Sequence, residues 1–193
     1  MTFAAPAEAY DRFMGRWSRA LAPLLADFAG VDGGMRVLDV GCGPGSLTEH
    51  LAERVGPGQV HAVDPSEQFA TACAARVPGA EVGVAGAERL PWADGVFDVV
   101  LSSLVVNFLE DPVGGVREMA RVARSEVAAC VWDYEEMGML RPFWDAALEL
   151  DPAAPAEHLV MRFGKPEELR ELWLEADLAE VGTDVFEVEQ AYD

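Results

Sequence analysis

The sequence predicts an α/β fold with a doubly wound, mostly parallel sheet, and three observations lead to that prediction. Short, continuously apolar runs alternate with helical patterns at steps of roughly 20–25 residues, the order typical of strand–helix–strand units. These runs lack polar alternation, which is typical of strands buried on both faces of a sheet. A glycine-rich loop follows the first run. Ligands bind such folds beyond the carboxyl ends of the strands, so functional residues are expected directly after strands.

The first elements are a helix and two strands. Residues 6–29 predict a helix in one or two pieces, because apolar side chains recur at helical spacing and Gly15 offers a break. The apolar run at 37–40 predicts the first buried strand. Ser46 is predicted to cap the helix after it, and a second buried strand is predicted at 59–64.

The middle of the chain continues the alternation. A helix capped by Ser66 is predicted to extend to about residue 76, followed by a weaker strand at 80–85. A fourth strand is expected around 96–102, and a helix over 111–123 follows it.

The last elements complete a sheet of six strands. A fifth strand is predicted at 127–132, and helices at 142–150 and 166–178. The alternating segment 183–190 predicts a final strand.

Size and cysteine content predict the class of protein. The 193 residues, of which 51% are apolar, suffice for a single domain over 1–193, with a helical segment at 1–30 and an α/β core at 31–193. No basic start precedes an apolar run, and no apolar stretch approaches the roughly 18 residues of a membrane span. Three scattered cysteines predict neither a disulfide framework nor a zinc site. We therefore expect a cytoplasmic protein without a bound metal or a membrane partner.

The charge balance predicts which partners the surface rejects. Fourteen Lys and Arg stand against 34 Asp and Glu, a formal net charge of −20. Affinity for nucleic acid and for anionic lipid depends on basic side chains, so neither is expected as a partner.

The loop after the first strand and the acid after the second predict a site for a nucleoside. Gly41 and Gly43 permit close approach of a ligand to backbone N–H groups. Asp64 follows the second strand, 21 residues beyond Gly43, where a carboxylate accepts both hydroxyls of a ribose. Loop, spacing and acid together form a specific signal.

Two details distinguish between nucleoside ligands. Position 46 is Ser, where the pyrophosphate motif has its third glycine. Asp39 stands just before the loop, where an acid repels a diphosphate but suits a ligand with an ammonium group. These details favour S-adenosylmethionine over NAD or FAD.

Four segments carry a resemblance to a known family. They are VLDVGCGPG (37–45), VDPSEQF (63–69), the segment 86–112 and YDRFMGRWS (10–18). The sequence resembles the class I S-adenosylmethionine-dependent methyltransferases, of the small-molecule type labelled type 11, over residues 10–135. The resemblance implies a Rossmann-like fold with an N-terminal cover segment, and transfer of a methyl group that leaves S-adenosylhomocysteine.

The resemblance also implies which residues hold the cofactor. Asp39 orders the amino-acid end through water, Asp64 holds the ribose, and Arg16 binds the carboxylate. The remaining positions contribute backbone groups or flank the adenine: Gly41, Cys42, Gly43, Pro65, Ser66, Ala87, Glu88, Ser102 and Ser103.

The acceptor, expected to be a small uncharged or cationic molecule, should bind beside the fourth and fifth strand ends. The candidate acceptor and lid residues are Tyr10, Trp17, Asn107, Phe108, Trp132 and Tyr134. Asp133 is the candidate general base; the alternative is that it caps the next turn.

The sequence departs from the family in two places. Residues 124–126 (RSE) stand where family members usually have a Lys/Arg-Pro-Gly-Gly turn. Members of the family also end in an antiparallel hairpin that supplies a seventh strand, whereas this sequence stops at Asp193, just after the predicted sixth strand. An exposed sixth strand would need a partner, for which a homodimer is the candidate. A nicotinamide-dependent oxidoreductase and an inactive binding module stay open as alternatives.

Overall fold

The computed structural model describes residues 6–190 and contains a five-stranded, all-parallel sheet in the order β3-β2-β1-β4-β5. The strands are β1 (Val37–Val40), β2 (Val60–Asp64), β3 (Glu81–Val84), β4 (Phe97–Ser103) and β5 (Ala123–Cys130). β1 lies at the centre, where Val40 pairs with Val63 of β2 and Leu38 pairs with Val100 of β4. The strand order reverses between β1 and β4, so the carboxyl end of β1 is the switch point at which such sheets bind ligands.

Helices cover both faces of the sheet. They are α1 (Ala7–Phe28), α2 (Ser46–Val55), α3 (Glu67–Arg76), α4 (Pro112–Val122), α5 (Arg141–Leu150), α6 (Glu157–Val160) and α7 (Pro166–Glu175). Leu25 of α1 and Leu51 of α2 are fully buried on one face, and Met119 of α4 with Leu172 of α7 packs on the other. The predicted doubly wound, Rossmann-like fold is confirmed.

One local prediction, at the start of α2, is wrong. α1 is a single piece, the first of the two predicted possibilities, and its buried Gly15 lies against Asp11, which a β-carbon would contact. Ser46 is the first residue of α2 rather than its cap; the cap position belongs to Gly45, whose φ of 95° places it in the left-handed region. At α3 the prediction is confirmed, since Ser66 Oγ accepts a hydrogen bond from the Phe69 amide.

The fifth strand starts four residues earlier than predicted, directly after α4. Arg124 pairs with the Asp98 carboxylate at 2.6 Å, and the Ser125 hydroxyl donates to the Asp98 carbonyl at 2.9 Å. Because of these hydrogen bonds to β4, the polar residues Arg124 and Ser125 belong to β5, although the hydrophobic pattern of the sequence does not assign them to a strand. They also explain how helix and strand join without the Pro-Gly-Gly turn.

The predicted sixth strand at 183–190 is absent from the described residues. The side chain of Phe186 packs on Phe28 of α1, with 5.7 Å between ring centroids, while Val185 stays exposed. The indole of Trp173 in α7 donates to the Val127 carbonyl of β5 at 3.4 Å, so one backbone group that a sixth strand would use is already bonded. β5 is the edge strand of the described sheet, and the homodimer stays a prediction without the strand on which it rested.

Parts of the predicted segments lie outside the described residues, namely 1–5 at the start and 191–193 at the end. Within 6–190, no helix combines the length and the apolar composition needed to cross a bilayer. The same range contains no group of three or more His, Cys, Asp and Glu arranged to hold a metal ion.

Candidate cofactor site

A cavity of about 490 Å³ opens at the carboxyl ends of β1, β2 and β4. It lies at the switch point of the sheet, and α1 and the loop before α4 contribute to its walls. The following predicted site residues line it: Tyr10, Gly41, Gly43, Asp64, Pro65, Ser66, Ala87, Glu88, Ser103 and Phe108.

Asp64 connects the two loops that form the floor of the cavity. Its Oδ2 accepts a hydrogen bond from the Gly43 amide at 2.9 Å, and its Oδ1 accepts one from the Ser66 amide at 2.8 Å. Burial raises the pKa of this carboxyl, and both amide bonds counteract the rise. Each oxygen keeps a second lone pair for a ligand hydroxyl.

The glycine loop turns sharply over the end of β2. The amides of Gly41 and Cys42 both donate to the Val63 carbonyl, at 2.8 and 3.0 Å. Gly41 has a φ of 76°, and a β-carbon there would lie 2.5 Å from a methyl carbon of Val105. This position therefore accepts only glycine without rearrangement.

Asp39 lies beneath the loop and is only 1% exposed. Its Oδ2 accepts a hydrogen bond of 2.6 Å from the Thr48 hydroxyl. Burial raises its pKa to about 7, and the charge of Asp64 contributes to the rise. A ligand cation at this end of the site would favour the ionised form.

The lining carries four carboxylates and no basic side chain within the described residues. The acids are Asp64, Glu88, Glu110 and Asp111. A diphosphate would face uncompensated negative charge here, whereas a nucleoside with a sulfonium and an ammonium would not. The residues present fit S-adenosylmethionine.

Comparison with known proteins places this site in a family. A family profile described as "Methyltransferase domain" matches residues 38–131. Residues 38–131 form a class I methyltransferase domain. The matched segment contains the glycine loop, Asp64 and the strand ends around the cavity.

Two curated relatives and a solved structure illustrate the family of the methyltransferase domain. The chain is 33% identical over 132 residues to nocamycin O-methyltransferase of Saccharothrix syringae, covering 65% of this chain and 47% of that one. It is 28% identical over 161 residues to malonyl-[acyl-carrier protein] O-methyltransferase of Halorhodospira halophila, covering 69% and 55%. The fold resembles that of an S-adenosylmethionine-dependent methyltransferase from Aquifex aeolicus, with a TM-score of 0.64, 23% identity and coverage of 80% and 89%. The chain spans only about a third to just over half of the curated relatives it matches.

Several predicted cofactor residues lie outside the cavity lining. Ser102 is buried, and its hydroxyl donates to the Val40 carbonyl at 2.9 Å, which joins β4 to β1. Cys42 is buried among Ala62 and Cys73 rather than facing the cavity. Arg16 lies on α1, where its carbonyl accepts a hydrogen bond from Gln190 at 3.4 Å.

The candidate acceptor residues separate into two groups. Phe108 and Tyr10 line the cofactor cavity, and the Tyr10 ring lies 5.4 Å from that of Phe69. Asn107 lies beneath, where its Nδ2 donates to the Tyr134 hydroxyl at 2.9 Å. Burial raises the pKa of Tyr134 to about 12.

Asp133 and Trp132 lie in a different part of the methyltransferase fold. Both line a second cavity of about 150 Å³ beside the outer edge of β5 and α7. Trp132 meets Trp17 edge-to-face, with 6.2 Å between centroids. The Asp133 carboxylate accepts hydrogen bonds from the amides of Glu135 and Glu136 at 3.0 and 3.1 Å. This is the arrangement expected if Asp133 caps the next turn, the alternative to its role as a general base. The general-base role of Asp133 stays a prediction.

Sequence reasoning missed part of the cavity wall. The missed residues are Val40, Phe69, Gly86, Leu104, Val105, Leu109, Glu110 and Asp111. Five of them lie between residues 104 and 111, directly after β4, where the strand-end rule places ligand-binding residues. Leu104 has a φ of 62°, a conformation that apolar residues rarely adopt and that the sequence does not reveal.

Gly41→Ala is expected to destabilise the methyltransferase domain by about 1–2 kcal/mol, because the added methyl meets Val105 and the positive φ disfavours alanine. Urea unfolding followed by circular dichroism measures the loss. Gly58→Ala is the matched control, since nothing lies within 4 Å of a β-carbon there and its φ is not positive. Equal stabilities of the two variants would contradict the close contact at Gly41.

Proposed function

We propose that the protein transfers a methyl group from S-adenosylmethionine to a small-molecule acceptor by in-line displacement. The proposal rests mainly on the cavity at the switch point of the sheet. In this cavity Asp64 can accept hydrogen bonds from the hydroxyls of a ribose, and the lining includes no basic side chain of the described residues that could bind a diphosphate. The family of the domain supports the reaction type. The two relatives named above are O-methyltransferases, which supports an oxygen acceptor.

The cofactor, when bound, supplies an activated methyl group, so the protein has mainly to position the acceptor. Asp64 would accept the ribose hydroxyls through the lone pairs that Gly43 and Ser66 leave open. Ala87 and Glu88 would flank the adenine. Asp39 would compensate the ammonium from beneath the loop.

The acceptor side of the cavity is apolar and aromatic. Phe108, Leu104 and Leu109 line it, and Tyr10 stands opposite on α1. Burial, with the nearby charge of Asp64, raises the pKa of Tyr10, so its phenol stays protonated and serves as a hydrogen-bond donor at neutral pH. This lining supports an acceptor with an apolar body. The net charge of −20 supports an uncharged or cationic molecule rather than nucleic acid. A cytoplasmic location stays a prediction.

Calorimetric titration with S-adenosylhomocysteine and with NAD tests the cofactor. We expect binding of S-adenosylhomocysteine alone; binding of NAD alone would replace the proposal with the oxidoreductase alternative. Release of labelled methyl from S-adenosylmethionine across alcohols, phenols, amines and thiols then tests transfer. Binding without turnover on any acceptor would favour an inactive binding module.

A further inference from the structure

Two of the three cysteines pack together beneath the glycine loop. Cys42 stands in the loop itself and Cys73 in the last turns of α3, and both belong to one small buried cluster with Ala62. Cys42 is 7% exposed and Cys73 is fully buried. The third cysteine, Cys130, lies on β5, where its sulfur is 3.5 Å from the Ser103 hydroxyl.

The turn from Cys42 to Gly45 lies against Cys73. The Gly45 amide donates to the Cys42 carbonyl at 3.0 Å and closes the turn. A β-carbon on Gly45 would lie 2.9 Å from the Cys73 sulfur and 3.2 Å from its Cα. The loop and α3 are therefore in contact at Gly45 and Cys73, and Cys42 belongs to the same buried cluster as Cys73.

A hydrogen-bonded relay connects Cys73 to the acid under the cofactor site. The Cys73 thiol donates to the Thr48 hydroxyl at 3.4 Å, and that hydroxyl donates to Asp39 at 2.6 Å. Interaction with the Cys42 thiol lowers the pKa of Cys73, against the effect of burial. The charge of ionised Asp39 raises the pKa of Cys73, but the relay lets Asp39 take the thiol proton, which neutralises the carboxylate beside the thiolate that forms.

We infer that Cys42 and Cys73 are a modification site, a dithiol that a hydroperoxide oxidises to a disulfide. Cys73 passes its proton through Thr48 to Asp39, and the thiolate attacks the peroxide. The O–O bond breaks, the leaving alkoxide takes a proton, and Cys73 becomes a sulfenic acid. Cys42 then attacks this sulfur, the S–S bond forms and water leaves with the Cys42 proton. Two thiols lose two electrons, and the hydroperoxide is reduced to an alcohol and water.

The disulfide changes the shape of the cofactor loop. Bonded sulfurs lie about 2.05 Å apart, closer than any non-bonded contact, so the bond draws Cys42 toward α3. Gly41 and Gly43, its neighbours, line the cofactor cavity. Oxidation therefore weakens cofactor binding, an effect that rests on the proposed function, whereas the disulfide itself does not.

Access to the pair depends on the same cavity. Gly41 and Gly43, which flank Cys42 in the chain, line this cavity, and Cys73 lies against the same loop, so a peroxide in the empty cavity reaches Cys73 when the loop opens. A bound cofactor covers that wall and slows oxidation. By linkage, a tenfold preference of the cofactor for the reduced form raises the reduction potential of the pair by about 30 mV.

The test uses the whole protein treated with hydrogen peroxide. Intact mass and peptide mapping are expected to show the loss of two hydrogens and a Cys42–Cys73 bridge that dithiothreitol reverses. Calorimetry is expected to show at least about tenfold weaker binding of S-adenosylhomocysteine to the oxidised form. Saturating S-adenosylhomocysteine is expected to slow the oxidation.

Serine variants distinguish the effect of the Cys42–Cys73 disulfide from the effects of peroxide on other residues. Cys73→Ser and Cys42→Ser should form no bridge and lose the response of affinity to peroxide, whereas Cys130→Ser should retain both. Retention of both thiols, or their separate oxidation to sulfinic acids, overturns the site. A bridge with unchanged affinity overturns the effect on the loop. If the reduced protein does not bind S-adenosylhomocysteine, the proposed function is wrong. Peptide mapping of the oxidised protein still shows in that case whether the Cys42–Cys73 disulfide forms.

Discussion

Asp64→Ala is expected to weaken binding of S-adenosylhomocysteine at least about tenfold, or 1.4 kcal/mol, as measured by calorimetry. The substitution removes the proposed acceptor for the ribose hydroxyls. It also leaves the partly buried amides of Gly43 and Ser66 without their acceptor. The free energy of unfolding is therefore expected to fall by about 2 kcal/mol as well.

Asp98→Ala is the matched control for this loss of affinity. The Asp98 carboxylate also accepts a backbone hydrogen bond, from the Arg36 amide at 2.9 Å, but it stands at the amino end of β4. Asp98 therefore lies at the opposite end of the strands from the cavity. The control should lose stability yet bind S-adenosylhomocysteine like the wild type. Equal losses of affinity in both variants would contradict the ribose role of Asp64.

Asp39→Asn is expected to stabilise the ligand-free protein increasingly as the pH rises. Burial raises the pKa of Asp39 to about 7, well above its ordinary value of 3.8. The folded state therefore binds the proton more tightly than the unfolded state, and the protein loses stability as the pH rises through 7. Asparagine does not titrate, so its advantage in unfolding free energy should grow by about 2 kcal/mol between pH 5.5 and 8.5.

Urea unfolding at these two pH values measures the difference. Thr48→Ser is the matched control, because it keeps the hydroxyl that donates to Asp39 and should retain the wild-type pH dependence. A gap between Asp39→Asn and wild type that stays constant with pH would contradict the raised pKa. For binding, the affinity of wild type for S-adenosylhomocysteine should rise with pH toward 8, because the ligand ammonium favours the ionised carboxylate. That dependence should disappear in Asp39→Asn.

The acid at position 39 shows where sequence reasoning reached its limit. Its place before the loop indicated the amino-acid end of the cofactor, and the structure places it beneath the loop. The sequence did not reveal that Thr48 would donate to it or that burial would raise its pKa so far. Those effects depend on how α2 packs over the strand ends.

The candidate acceptor residues are more dispersed in the structure than the candidate cofactor residues. The places of Asn107 and Tyr134 after strands predict a role in acceptor binding, but the two residues bond to each other beneath the cavity. Asp133 satisfies two local amides, and Trp132 packs toward α1. The side chain of a residue that follows a strand can face the cavity, the interior beneath it or a neighbouring helix. Packing between distant segments decides which of these it faces.

The sequence by itself determined the parallel sheet, the glycine loop and the acid after the second strand, because these depend on local patterns and fixed spacings. Only the tertiary structure decided that β5 is the edge strand, with its Val127 carbonyl bonded to the Trp173 indole rather than to segment 183–190. It alone brought Cys73 to Cys42, 31 residues away along the chain. Contacts between distant segments follow from the packing of helices on the sheet, and no local pattern encodes them.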